Sequence, residues 1–239
     1  LPQVGRYMGG GALVGTERAL AGELAAEGRA ASNQLPGSEP PGSEPPRIYE
    51  HVPRDVTLTA EQRAFLERNI VSTEALRPTG GETLNKTYVL TFDDGSRALF
   101  KPESGVGKAV SDQAVGPKWA AETGTHHWER ALGSTQVPTT APLDHPELGR
   151  GSAQAWADAR PYDPTTDSYS EFDQQLCAVR DYITGESDRH YAQTLVGKDN
   201  AMVPVDHGES FPVPVTGDEN AVLRSQYVYD QVGKDLSPE

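Results

Sequence analysis

The chain has 239 residues, of which 36% are hydrophobic, and a formal net charge of -14. That charge, with no basic cluster, argues against nucleic acid as a partner. It leaves small anionic ligands open wherever local lysines and a divalent metal supply positive charge. Cys177 is the only cysteine, so an internal disulfide and a cysteine-based zinc site are both ruled out.

The opening residues lack a charged-then-apolar leader pattern. The first residue is Leu1 rather than Met, so the chain is expected to be a piece of a longer protein. Residues Gly11 to Ser32 are rich in alanine, leucine and glutamate, with Leu13, Leu20 and Leu24 at roughly helical spacing. The segment 1–32 is therefore read as helical, with a thin apolar face expected to dock on a partner. Residues 33–46 repeat PGSEP in tandem, and proline this dense makes a semi-rigid, solvated linker.

Beyond the linker, "TLTAEQRAFLERNI" predicts a helix capped by Thr59. "TYVLTFDDGSRALFKP" predicts a hairpin: Tyr88, Leu90 and Phe92 alternate, Asp94-Gly95 turns the chain, and Ala98 to Lys101 run back. "KWAAETGTHHWERALG" predicts a helix stopped at Gly133. "SEFDQQLCAVRDYITG" predicts another, with Leu176, Val179 and Ile183 spaced as its buried stripe. "TLV" and "MVPV" predict short strands. Strands and a helix first, then mostly helix with a small hairpin, point to an α+β protein of two lobes.

Several residues could carry chemistry. Lys101 ends a strand, where a lysine is ordinarily just solvated, but it could pair with Glu122 of the next helix across a cleft. That pair would hold the ammonium over nucleotide phosphates. Gly80-Gly81 precede the first hairpin strand and either form a simple turn or let backbone amides approach phosphates. In "SDRHYAQTLV", Asp188, Arg189, His190 and Gln193 lead into one short strand, and Asp206 of "VPVDHGESF" leaves the next. Each aspartate alone reads as a turn residue on an acidic surface. Together with Gln193 they supply a carboxylate for an acceptor hydroxyl plus a carboxylate and a neutral oxygen for Mg²⁺. His126, His127 and His145 read as surface or packing residues, because adjacent helical positions point apart. Asp144-His145 lacks a G-x-S-x-G elbow to present a nucleophilic serine.

The ordered set "NKTYVLTFDDGSRALFKP", "WAAETGTHHWERALGSTQVPTT", "GSAQAWADA", "DYITGESDRHYAQTLV" and "VPVDHGESF" resembles the phosphatidylinositol 3- and 4-kinase-like superfamily. The likeness is to small bacterial members with D-R-H and D-H-G motifs, over roughly Thr83 to Phe211. It implies a bilobal, protein-kinase-like domain over 47–239, with an N-lobe at about 47–150 and a C-lobe at about 151–239. The family carries ATP between the lobes with Mg²⁺ or Mn²⁺. Lys101 would contact the phosphates and Glu122 would orient it. Asp188 would be the catalytic carboxylate, and Asp206 the metal ligand. Gln193 stands where the family usually has asparagine as second metal ligand. Gly151 to Ala159 would connect the lobes, with Gln154, Ala155 and Trp156 nearest the adenine.

The expected activity is a kinase acting on a protein or small-molecule hydroxyl, with membrane lipid left open. The alternatives are a pseudokinase, a nucleotidyl-transferring module, or the effector or toxin domain of a larger bacterial protein. Such a protein works in the bacterial cytoplasm or inside a target cell.

Overall fold

The computed structural model describes residues 57–76, 86–105, 118–211 and 223–237. The expected N-terminal helix at 1–32, the linker at 33–46 and the Gly80-Gly81 turn lie outside the described residues.

Helix α1 (Ala60–Leu66) starts where its sequence says it should. Thr59 Oγ1 accepts from the Gln62 N–H at 3.1 Å, and Gln62 Oε1 accepts from the Thr59 N–H at 3.0 Å. This reciprocal box satisfies two donors that a bare helix end would leave unpaired. Gln62 is itself buried, and its Nε2 donates to the Thr140 carbonyl at 2.7 Å, so the cap also pins α1 to the sheet beneath it.

That sheet has five antiparallel strands: β1 (Ile70–Ala75), β2 (Tyr88–Phe92), β3 (Arg97–Pro102), β4 (Thr140–His145) and β5 (Gly149–Ala155), in the order β1-β2-β3-β5-β4. The β2–β3 hairpin turns at Gly95, whose φ of 79° lies in the left-handed region that glycine enters without a Cβ clash. Side chains alternate across the sheet. Leu90, Phe92, Ala98 and Phe100 point into the main core with Phe65, Leu66, Leu143 and Ala153. Val89 and Leu99, paired in register, face the other way and meet Leu76 and Trp156. Lys101 lies two residues beyond Leu99 and therefore shares that second face.

Helix α2 (Lys118–Ala131) packs on β4 and β5 and ends before Gly133, which takes φ 76°. Strands β6 (Arg160–Pro161), β7 (Thr194–Val196) and β8 (Met202–Pro204) form a smaller antiparallel sheet. Helices α3 (Glu171–Thr184) and α4 (Gln226–Gln231) pack together beside it. Their shared core holds Tyr169, Cys177, Ala178, Val196, Met202 and Tyr227. The two expected short strands are thus β7 and β8, paired Thr194 with Pro204 and Val196 with Met202. Among the described residues no helix is long and apolar enough to cross a membrane.

Two expectations are corrected here. The buried face of α3 is not Leu176–Val179–Ile183, since Val179 is 38% and Ile183 41% exposed. Instead Cys177, Arg180, Asp181 and Thr184 face inward, with the same i, i+3, i+4, i+7 spacing displaced around the helix. Charge is buried because it is paired: Arg180 Nη1 meets Glu129 Oε2 of α2 at 3.2 Å with both side chains fully buried. Second, Gly151 to Ala155 is not a connection but the body of strand β5, so the crossing between the sheets begins after Ala155 rather than near residue 150.

His126 and His145 serve packing, as expected. His145 is buried, with Nε2 3.0 Å from Thr73 Oγ1 and Nδ1 accepting from the Glu147 and Leu148 amides. His126 is fully buried on α2. Burial, and then the Arg130 charge, push its pKa down to about 4, so it is neutral in the fold.

Two measurements test this architecture. Arg180→Met strands the Glu129 carboxylate in the interior and should lower unfolding free energy by about 3–5 kcal/mol in urea titrations. Adding Glu129→Gln should recover part of that loss, since the glutamine oxygen can still accept from the Gln136 amide that Glu129 now caps at 2.9 Å. For His126, the unfolded chain takes up a proton below about pH 6.5, whereas the fold resists until about 4. Stability should therefore fall as pH drops through that window and stay level above it. His126→Met should shrink the slope.

Candidate active site

The site forms where the second face of the large sheet meets the β7–β8 hairpin. Lys101, at the end of β3, places Nζ 2.7 Å from Glu122 Oε1 and 2.6 Å from Asp206 Oδ1. Strand, helix and hairpin exit thus converge on one ammonium. Burial pushes the lysine's pKa down, but the Asp206 and Glu122 charges outweigh it and hold it above its ordinary value. Burial likewise pushes the Asp206 carboxyl up, and the Lys101 charge, its hydrogen bond, Lys118 and Arg189 together bring it down to about 2. Both groups are therefore charged across the physiological range.

Asp206 sits at φ 59°, a left-handed conformation that non-glycine residues enter at a cost, with aspartate among the more tolerant. Its neighbours hold it there. The Val205 amide donates to the Gln193 carbonyl at 2.9 Å, which closes the hairpin just before the bend. His207 is fully buried, and Arg189 Nη2 donates to its Nδ1 at 2.6 Å. That contact places the His207 proton on Nε2, 3.4 Å from the Pro204 carbonyl. Burial, then the Arg189 and Arg180 charges, push His207 well below its usual pKa and keep it neutral.

Arg189 is the buried hub of this region. Its guanidinium meets Asp181 at 3.3 Å and Glu186 at 3.6 Å, and donates to the Val205 carbonyl at 2.5 Å. Ser225 and Ser210 complete the cluster by donating to Asp181 and Glu186, each at 2.7 Å. Asp188 stands one residue before this hub, with an exposed side chain and its amide donating to Glu186 Oε1 at 3.1 Å.

Past Asp206 the chain runs along α2. Glu209 pairs with Lys118, and a Cβ at Gly208 would lie 3.5 Å from Lys118 Cδ. The Phe211 ring rests where α2 has Gly124, close enough that an added Cβ would sit 2.9 Å from Cε2. Two contacts on either side of Glu122 therefore clasp the segment to the helix.

Gln193 is buried, and its Oε1 accepts from the His190 N–H at 3.3 Å, which occupies one of its two lone pairs. Gln154 is also buried, aligned with Leu99 across the strands, and donates to Thr140 Oγ1 at 3.1 Å. The Ala155 amide is spent on the Thr139 carbonyl and the Trp156 amide on the Arg97 carbonyl, so neither N–H is available to an adenine. Trp156 itself is stacked by the Arg97 guanidinium at 4.0 Å and abuts the Leu76–Val89–Leu99 cluster.

Sequence reasoning gave no role to Lys118, Gly124, Asp181, Glu186, Arg189, Glu209 or Phe211. The one available signal was the i, i+4 pairing of Cys177 with Asp181 and of Arg180 with Thr184, a polar stripe at core spacing. Among the described residues no group of three or more His, Cys, Asp or Glu is placed to hold a metal. A carboxylate and an amide oxygen are donor types that Mg²⁺ accepts, since it keeps several waters and takes further ligands from substrate phosphates.

No family model matches the chain, and no curated protein matches it either. Among solved structures, the crystal structure of the golgi casein kinase aligns with a TM-score of 0.41 at 17% identity, covering 60% of this chain and 54% of that one. The alignment spans about half the length of that chain. The expected membership of the phosphatidylinositol 3- and 4-kinase-like superfamily is not supported by any family model. The fold is the coarser arrangement: α+β, with an antiparallel sheet carrying a lysine, a helix carrying its glutamate and a small hairpin presenting an aspartate.

Proposed function

We propose that this chain is an ATP- and divalent-metal-dependent phosphotransferase acting on a hydroxyl of a protein or small molecule. The observation that carries the reading is Lys101 bridging Glu122 and Asp206 at 2.7 and 2.6 Å. A strand lysine paired to a helix glutamate, beside an aspartate poised for metal, is the constellation by which kinases position phosphates.

In this reading Glu122 holds the Lys101 ammonium against the phosphates, and Asp206 presents an anionic oxygen to the metal. Gln193 offers the second protein oxygen. Mg²⁺ or Mn²⁺ would neutralise charge on the transferred phosphoryl group. Asp188, exposed at the hairpin's entrance, accepts or orients the proton of the acceptor hydroxyl. Leu76, Val89 and Leu99, beside Trp156 on the sheet face that carries Lys101, would hold the adenine. Its polar edge must use groups other than the Ala155 and Trp156 amides. The strong negative charge favours a protein or small-molecule acceptor over an anionic lipid headgroup.

A second reading is a nucleotide-binding module that transfers nothing, or one that transfers the nucleotide instead. It is favoured by Gln193, whose oxygen is engaged by the His190 amide and whose side chain is one methylene longer than asparagine.

Turnover of ATP with Mg²⁺ or Mn²⁺, compared with Lys101→Met and Asp206→Ala, is the direct test. Each variant should lose about a hundredfold or more, and equal turnover in the parent and Asp206→Ala would remove the assigned metal role. Intact mass of a modified acceptor separates phosphate from AMP transfer. The clasp on α2 gives a further prediction. Gly124→Ala should gain about 1 kcal/mol of helix propensity yet displace the Phe211 ring. Turnover should fall while the melting temperature holds or rises.

A further inference from the structure

The phosphotransferase reading leaves one half-buried cation, Lys118, without a task. Lys118 opens the described part of α2 four residues before Glu122, so the two side chains share a helix face one turn apart. Its ammonium pairs with Glu209, three residues past Asp206, and the two side chains are only 17% and 16% exposed. Burial presses the Lys118 pKa down, and after it the charges that act most on this lysine are Asp206, Lys101, Glu122 and Asp188. These are the same groups assigned to phosphate, metal and acceptor.

Lys101, by contrast, has two of its three donors committed to carboxylates. Glu122 and Asp206 pair with Lys101, and Glu209 pairs with Lys118. A triphosphate entering such a place meets these carboxylates, and a single shared ammonium gives it little. We propose that Lys118 is a second phosphate-binding lysine, kept in place by Glu209 and exchanged from that carboxylate to the phosphates when the nucleotide binds. The proposal rests on the phosphotransferase reading and adds a binding residue to it. Its chemistry is simple: a flexible point-charge donor leaves one carboxylate for a more highly charged oxygen cluster. Glu209 then acts as a competitor for the lysine, and its removal should help the nucleotide.

A purely structural tie between α2 and the 206–211 segment makes a different prediction, because a tie fails equally from either end. The two roles are separated by calorimetry of a non-hydrolysable ATP analogue with Mg²⁺, with adenosine as control, on the parent, Lys118→Met, Lys118→Arg and Glu209→Gln. Lys118→Met should weaken the analogue about tenfold or more while leaving adenosine affinity unchanged. Lys118→Arg should restore most of the loss, and Glu209→Gln should bind the analogue more tightly than the parent. If Lys118→Met and Glu209→Gln weaken it alike, with matching losses in melting temperature, Lys118 is a tie and the proposal falls. Parent-like binding by Lys118→Met also overturns it while leaving the phosphotransferase reading intact. A parent that binds no analogue overturns both.

Discussion

The site depends on the burial of one guanidinium. Arg189 is placed between Asp188 and Asp206 in sequence and between α3 and the β8 exit in space. Burying its charge would be prohibitive without partners. Asp181 and Glu186 repay that cost, and the Val205 carbonyl and His207 take its remaining donors. Because a guanidinium is planar and its donors are fixed in direction, satisfying these partners leaves little freedom in how the hairpin meets α3. The two aspartates at the hairpin's ends inherit that rigidity. A neutral His207 is part of the same balance, since a second positive charge against Arg189 would undo it.

The strain at Asp206 follows from this arrangement. A residue with φ 59° is costly unless its surroundings over-determine it. Here the backbone is fixed on one side by Val205 bonding to Gln193 and on the other by the buried His207, so the bend is imposed from both directions. The bend turns the Asp206 carboxylate out toward Lys101 instead of back into the hairpin. The clasp of Glu209 and Phe211 on α2 then carries the constraint to Glu122. A helix on one sheet and a hairpin on another are in this way referred to a common lysine.

Local signals made most of the fold legible in the sequence. Thr59 announced α1, Asp94-Gly95 the hairpin, and Gly133 the end of α2, because caps and turns are written in neighbouring residues. Lys101, Glu122 and Asp206 could be placed on their elements by the same logic, and the structure brings them together. Their functional roles are a separate matter and rest on the proposal above. What was not legible is the polar interior. The α3 stripe was read from apolar residues, but a helix can bury Cys177, Arg180, Asp181 and Thr184 when Glu129 and Arg189 arrive from elsewhere to pair them. Those partners lie 51 and 8 residues away in sequence, and no periodicity reports them. Whether the Ala155 amide is free was hidden for a related reason: it depends on strand order, which pairs β5 with both β3 and β4.

The net charge of -14 acquires a local meaning from this geometry. An acidic chain that handled a triphosphate with backbone amides alone would work against its own field. Here carboxylates surround two half-buried lysines, and each lysine is already paired. On the phosphotransferase reading proposed above, such a cluster would repel free polyanions and admit them only with compensating positive charge, whether from a metal at Asp206 or from a lysine released by its carboxylate. Metal dependence would then be a consequence of the electrostatics, not an addition to them. The acidity that disfavours nucleic acid as a partner would also make the site selective for a nucleotide arriving already complexed with its cation.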